Sequence, residues 1–219
     1  MTPGQIARRL LGRHFEPVGH LYRRFFMDTD KMAGRIAAAI PAGAKCLDIG
    51  GGDGMIANAL LERRSDISIT MIDLAASIGG FVDPKFAGRI ALHPATPVDA
   101  FTANTGAFDA TLITDVLHHI PAGFRPQFFA DVKRQMEKSG CRVLLVKEVM
   151  PGRLRSFLGV LSDKYITGDK NVALLARTDI QTLAEATFGI ENIERFAVEV
   201  PDAPNYFAVI RLSETPRAA

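Results

Sequence analysis

Short apolar runs alternate with stretches of helical periodicity along most of the chain, and that rhythm predicts its elements. Apolar runs at 45–49, 67–72, 89–92, 108–114 and 141–147 read as strands. Met55, Ile56, Ala59 and Leu60 recur at helical spacing and predict a helix over 54–64, with another expected over about 123–138. A short helix or loop follows Asp73. Such alternation implies right-handed βαβ crossovers, hence an α/β fold with a mostly parallel sheet and helices on both faces. The run from Cys141 to Val146 is apolar except at Arg142, as befits a strand covered on both sides.

The two ends differ from this middle. Residues 4–40 read as helical, through Ile6, Leu10, Leu11, Met32, Ile36 and Ile40, with a break at Glu16-Pro17 and a stop at Pro41-Ala42-Gly43. Thr178-Asp179-Ile180-Gln181 reads as a capping box opening a helix that runs to Gly189. Strands over 193–200 and 206–212, joined by Pro201 to Asn205, permit only antiparallel pairing. Residues 152–177 carry Arg153, Arg155, Phe157, Leu158, Tyr165 and Gly168 without clean periodicity, a candidate lid or substrate wall. The expected organisation is a helical cap over 1–40, a main domain over 41–212 and a flexible polar tail over 213–219.

Composition adds exclusions. With 219 residues, 47% hydrophobic and 23% charged, the chain can bury a sizeable core, and a net charge of +2 gives no global signal for nucleic acid. Arg8, Arg9, Arg13, Arg23 and Arg24 concentrate positive charge locally. No apolar run approaches the ~20 residues that span a bilayer, and the arginines are not followed by an apolar leader segment, so a cytoplasmic location is expected. Cys46 and Cys141 each open a predicted strand; a strand between them would put them roughly 10 Å apart, too far for a disulfide.

Candidate chemistry concentrates in Cys46-Leu47-Asp48-Ile49-Gly50-Gly51-Gly52-Asp53-Gly54. Glycine takes positive φ freely and lacks a Cβ, so this strand-to-helix turn can be tight and its N–H groups can approach a ligand. Two acids flanking three glycines would be odd turn chemistry for packing alone. Asp73 closes the second strand about 20 residues on, where an acid can accept hydrogen bonds from a ribose diol.

This first motif, together with Asp73, with Phe108-Asp109 followed by Val116-Leu117-His118-His119-Ile120-Pro121, and with the terminal hairpin, resembles class I S-adenosylmethionine (SAM) dependent methyltransferases over about residues 20–212. The resemblance implies a Rossmann-like, seven-stranded sheet with an antiparallel last strand, and SAM lying across the carboxyl ends of the first, second and fourth strands. It implies that Asp48, Gly50, Gly51 and Gly52 hold the methionine part, Asp73 the ribose, with Leu74 beside it, and Thr114-Asp115 the region near the sulfonium. The family's adenine-contacting acid falls on Pro94, so adenine is expected to rely on backbone groups, Thr96 or stacking. The dinucleotide pattern G-x-G-x-x-G would need glycine where Met55 stands, which favours SAM over NAD.

The expected activity is methyl transfer by in-line displacement to an oxygen, nitrogen or carbon of a small-molecule or lipid-like acceptor, with no metal. A catalytically silent SAM-binding partner protein is the alternative, supported by Pro94, and an NAD-linked oxidoreductase is a lesser one. His118 and His119 are the candidate general bases, set against a plain cap or surface role. Tyr22, Phe26, Glu148 and Tyr165 are the candidate substrate contacts, with Lys147-Glu148 read as a salt-bridged pair closing the fifth strand. Phe15, Tyr22, Phe25, Phe26 and Met27 read either as a packing stripe or as a cap over the site, and the basic face near them also suits peripheral contact with anionic membrane. Arg153 and Arg155 read as solvated, or as ligands for a carboxylate or phosphate. Acceptor and oligomeric state stay open.

Overall fold

A computed structural model describes residues 27–102, 107–162 and 172–213. Helix α1 (Thr29–Ala39) leads into β1 (Lys45–Ile49), α2 (Met55–Arg63), β2 (Ser68–Ile72), β3 (Ile90–His93), β4 (Ala110–Thr114) and α3 (Arg125–Ser139). Then come β5 (Val143–Val149), α4 (Leu154–Ser162), α5 (Arg177–Phe188), β6 (Ile193–Asp202) and β7 (Asn205–Leu212). The seven strands form one sheet in the order β3-β2-β1-β4-β5-β7-β6. β1 to β5 pair in parallel, while β7 is antiparallel to both β5 and β6, so the last strand alone is reversed, as expected.

Successive strand residues point to opposite faces, which divides the core in two. Cys46, Met71, Leu112 and Leu145 pack with Met32, Ile36, Leu60 and Leu61 of α1 and α2. Leu47, Ile72, Ile113 and Leu144 pack with Phe129, Val132, Ile180 and Phe188 of α3 and α5. The stretch 29–39 of the expected 1–40 cap is therefore a core helix, with Met32 and Ala33 fully buried. Its N-cap is Asp28, whose carboxylate accepts the Lys31 N–H at 3.0 Å. Phe15, Tyr22, Phe25, Phe26 and the five N-terminal arginines lie outside the described residues, as do Tyr165, Gly168 and the tail from 214.

Two sequence readings are corrected. Helix α5 begins at Arg177 because the Asp179 carboxylate accepts the Ala176 N–H at 2.7 Å, so the side-chain cap comes from Asp179, not from Thr178 with Gln181. Within 152–177 a helix does form, α4, with Leu154, Phe157 and Leu158 at helical spacing. Cys46 and Cys141 are buried and unpaired, with β4 between their strands.

Candidate active site

The loop after β1 is shaped by its glycines. Gly50, Gly52 and Gly54 sit at φ +73°, +56° and +81°, a region costly for other residues. The Gly50 N–H donates to the Ile72 carbonyl at 2.8 Å, tying the loop to the end of β2. A Cβ on Gly50 would lie 2.5 Å from Val116 Cγ2, and one on Gly51 2.3 Å from Met71 Sδ. At Gly52 a Cβ would meet only the Gly50 carbonyl at 4.0 Å, so this residue faces open space.

Two carboxyls stand beneath and beside the loop. Asp48 is 2% exposed, and its Oδ1 has no hydrogen-bond partner. Burial, with the Asp73 charge as the lesser cause, pushes its carboxyl up to about 7. Asp73 braces two backbones: Oδ2 accepts the Gly52 N–H at 2.9 Å and Oδ1 the Ala75 N–H at 2.8 Å. Each of its oxygens keeps a second lone pair for a diol. Leu74 is 75% exposed, an apolar surface beside that acid. The turn after β3 is joined to the one after β2, since the Thr96 N–H donates to the Asp73 carbonyl at 2.8 Å and the Ala95 N–H to the Ala75 carbonyl at 2.9 Å. Thr96 Oγ1 donates to the Pro94 carbonyl at 3.0 Å.

The segment after β4 supplies the second half. Thr114 is half-buried, and Asp115 adopts φ +57° with both carboxylate oxygens 2.6 Å from Lys147 Nζ. His118 is buried, with Nδ1 2.6 Å from Glu148 Oε2, while Glu148 Oε1 accepts the Leu117 N–H at 2.6 Å. His119 is exposed, its ring 4.1 Å from that of His118. A carboxylate accepts from Nδ1–H, which fixes the tautomer and puts the basic lone pair of His118 on Nε2.

These contacts change three expectations. Lys147 and Glu148 do not pair with each other: as consecutive strand residues they face opposite ways, toward Asp115 and His118. Glu148, read as a substrate contact, is wholly buried with both oxygens engaged, so it holds the histidine loop. Of the two histidines, His118 is the buried one and is oriented by the Glu148 carboxylate, while the exposed His119 ring lies beside it.

Arg125 was not anticipated. Its Nε donates to the Leu117 and Ile120 carbonyls at 3.1 and 2.9 Å, and Nη2 to the Ala173 carbonyl at 2.6 Å. The Ala173 N–H donates to the His118 carbonyl at 2.9 Å, so the end of the 152–177 stretch is fastened to the histidine loop. Asp115, His118 and Glu148 each bring a donor atom within 4.8 Å of the others. Lys147, the Leu117 N–H and the His118 ring already engage the two carboxylates, so hydrogen bonding and ion pairing account for the cluster.

No protein-family model and no curated protein matches the chain. Solved structures do. Mitomycin 7-O-methyltransferase shares 19% identity at a TM-score of 0.64, over 97% of this chain and 61% of that one. An O-methyltransferase of neocarzinostatin biosynthesis, solved with SAM and 2-hydroxy-5-methyl naphthoic acid, shares 21% identity at a TM-score of 0.58, over 81% and 52%. Human N-acetylserotonin methyltransferase, solved with SAM, shares 16% identity at a TM-score of 0.60, over 83% and 51%. The chain thus has the methyltransferase fold and spans about half to three fifths of the length of these proteins.

Proposed function

We propose that the chain is a SAM-dependent methyltransferase that methylates a hydroxyl of a small-molecule or lipid-like acceptor. One juxtaposition carries the reading: the glycine loop with Asp48 and Asp73 stands at the same end of the sheet as the buried His118–Glu148 pair, with Gly50 packed against Val116. That end is where ligands bind in open parallel sheets.

The residues present fit the cofactor. Asp48, with its unpartnered oxygen, and Gly50, Gly51 and Gly52, open to space at Gly52, would hold the methionine part. Asp73 would take the ribose, Leu74 and Thr96 the adenine side, and Thr114-Asp115 the sulfonium region. SAM supplies a methyl group already activated on a sulfonium. The protein's share is to align acceptor and methyl, about 3 to 3.5 Å apart and shielded from water. His118, oriented by Glu148, would accept the acceptor's proton as the hydroxyl reacts. A hydroxyl is favoured over a carbon nucleophile because a held imidazole matches its need for a base. The stretch ahead of α1 and the segment 152–177 would wall the acceptor.

Calorimetric titration with SAM, followed by mass spectrometry of candidate hydroxylated acceptors for addition of one methyl group, tests the reading. Binding that is weakened by Asp73→Ala, and a methylated product lost in His118→Asn, are expected. No heat with SAM overturns it, whereas tight SAM binding with no methylated product across phenols and alcohols favours a silent binding protein.

A further inference from the structure

Asp48 does more than the proposed chemistry requires of it. A carboxylate that merely braced a loop would spend its oxygens on N–H groups, as Asp73 does with Gly52 and Ala75. Asp48 instead stands in the core face of β1, 2% exposed, with Oδ1 unpartnered and Oδ2 against Gly51. An ionised, unpaired carboxylate at that depth is costly, so it either keeps a proton or meets a cation.

Among the described residues no cation stands against it. In register beside it are Met71 on β2 and Leu112 on β4. The charge acting on it is Asp73, which disfavours ionisation further. Cys46, on its own strand, is a thiol pushed up to about 12 by burial. Lys147 on β5 is bound to Asp115, and Asp53 at the start of α2 accepts the Met55 N–H. Asp30, Lys31 and Arg35 of α1, and Glu62 and Arg63 of α2, face solvent.

We infer that Asp48 is a proton-linked detector of the cofactor's positive charge: still carrying its proton in the free protein on the acid side of neutrality, it ionises when a ligand cation comes against it, releasing that proton to solvent. The inference rests on the SAM reading. Either the ammonium or the sulfonium of SAM provides the cation.

Calorimetry near pH 7 in phosphate and in Tris, whose ionisation enthalpies differ, counts the protons. With the Asp48 carboxyl at about 7, SAM should release about half a proton per site at pH 7 and more at pH 6. Affinity should tighten about fivefold from pH 6 to pH 7, below the range where the ligand's own α-amino group titrates, about 7.7 to 8.0. S-adenosylhomocysteine keeps only the ammonium and 5′-methylthioadenosine has neither charge. Release with both SAM and the homocysteine supports the ammonium, and release with SAM alone the sulfonium; either upholds the inference. Asp48→Asn should bind without release. SAM binding whose heat ignores the buffer, release with methylthioadenosine, or release persisting in Asp48→Asn overturns the inference and leaves the SAM reading intact. No SAM binding overturns both. Should Asp48→Asn fail to fold, the buffer and ligand comparisons on the unaltered chain still decide.

Discussion

His118 Nδ1 lies 2.6 Å from Glu148 Oε2, and the other oxygen of that carboxylate accepts the backbone N–H of the residue just before the histidine. One buried side chain thus sets the ring's tautomer and the loop that carries it. His118→Asn is expected to lower kcat about 10²- to 10⁴-fold, the range for loss of a general base. The Kd for SAM should stay within about twofold. Glu148→Gln should lower kcat less than His118→Asn, and the double variant no more than His118→Asn, since the two act as a unit. Single-turnover kinetics with an unmethylated hydroxyl acceptor that the protein turns over checks this, and additive losses would refute the unit.

The contact between Gly50 and Val116 makes a separable prediction. Gly50→Ala meets two obstacles, a positive φ costing about 1–2 kcal/mol and a Cβ driven into Val116, where overpacking costs about 1–3 kcal/mol. In a Val116→Ala background the second obstacle falls away and the first remains. Urea denaturation of the four proteins should show Gly50→Ala costing about 1–3 kcal/mol less in that background. Equal costs in both would mean that Val116 is not the obstacle.

Asp48 also sets a direction for stability with pH. Its folded carboxyl, at about 7, lies above the unfolded value of about 3.9. Below both values each state is protonated and Asp48 costs nothing. As pH rises between them the unfolded chain ionises while the folded one keeps its proton, so stability falls, and above about 7 the loss levels off. Asp48→Asn should therefore be more stable than the unaltered chain by on the order of 2–4 kcal/mol at pH 8, the gap closing toward pH 4. Denaturant midpoints at the two pH values check it; a variant no more stable at pH 8 would contradict the buried, unpaired state.

Arg125 serves three carbonyls from 117, 120 and 173, and its guanidinium is nearly buried. Arg125→Ala is expected to cost about 2–4 kcal/mol, because buried carbonyls lose their donor. Arg125→Lys should recover only part, since a single ammonium cannot match the fork. Thermal unfolding distinguishes them, and full recovery by lysine would show that charge alone matters.

The sheet was legible in the sequence because each strand is a short apolar run and the glycine loop interrupts the period sharply. Asp48, Asp73 and His118 were legible for the same reason, since their positions follow from where strands end. The links between them were not. Lys147-Glu148 looks like a pair when adjacency is the only guide, but the strand pleat turns them apart toward Asp115 and His118. Arg125 reads as one more basic residue near a helix start, and its partners meet only once β4 and 172–176 are folded together. Helix α4 was hidden because its apolar positions Leu154 and Phe157 remain exposed, 73% and 59%, so no core demanded them.

The pleat of β5 has a last consequence. An ammonium and a carboxylate stand on adjacent residues, each on the side where its partner waits. Removing one residue from β5 ahead of them would move every following side chain to the other side. A carboxylate would then confront Asp115, while Val149 would take the place beside the imidazole and the ammonium would stand two positions back on that side. The strand therefore works as a reading frame for charge, in which substitutions of its apolar residues are tolerated far better than any change in their number.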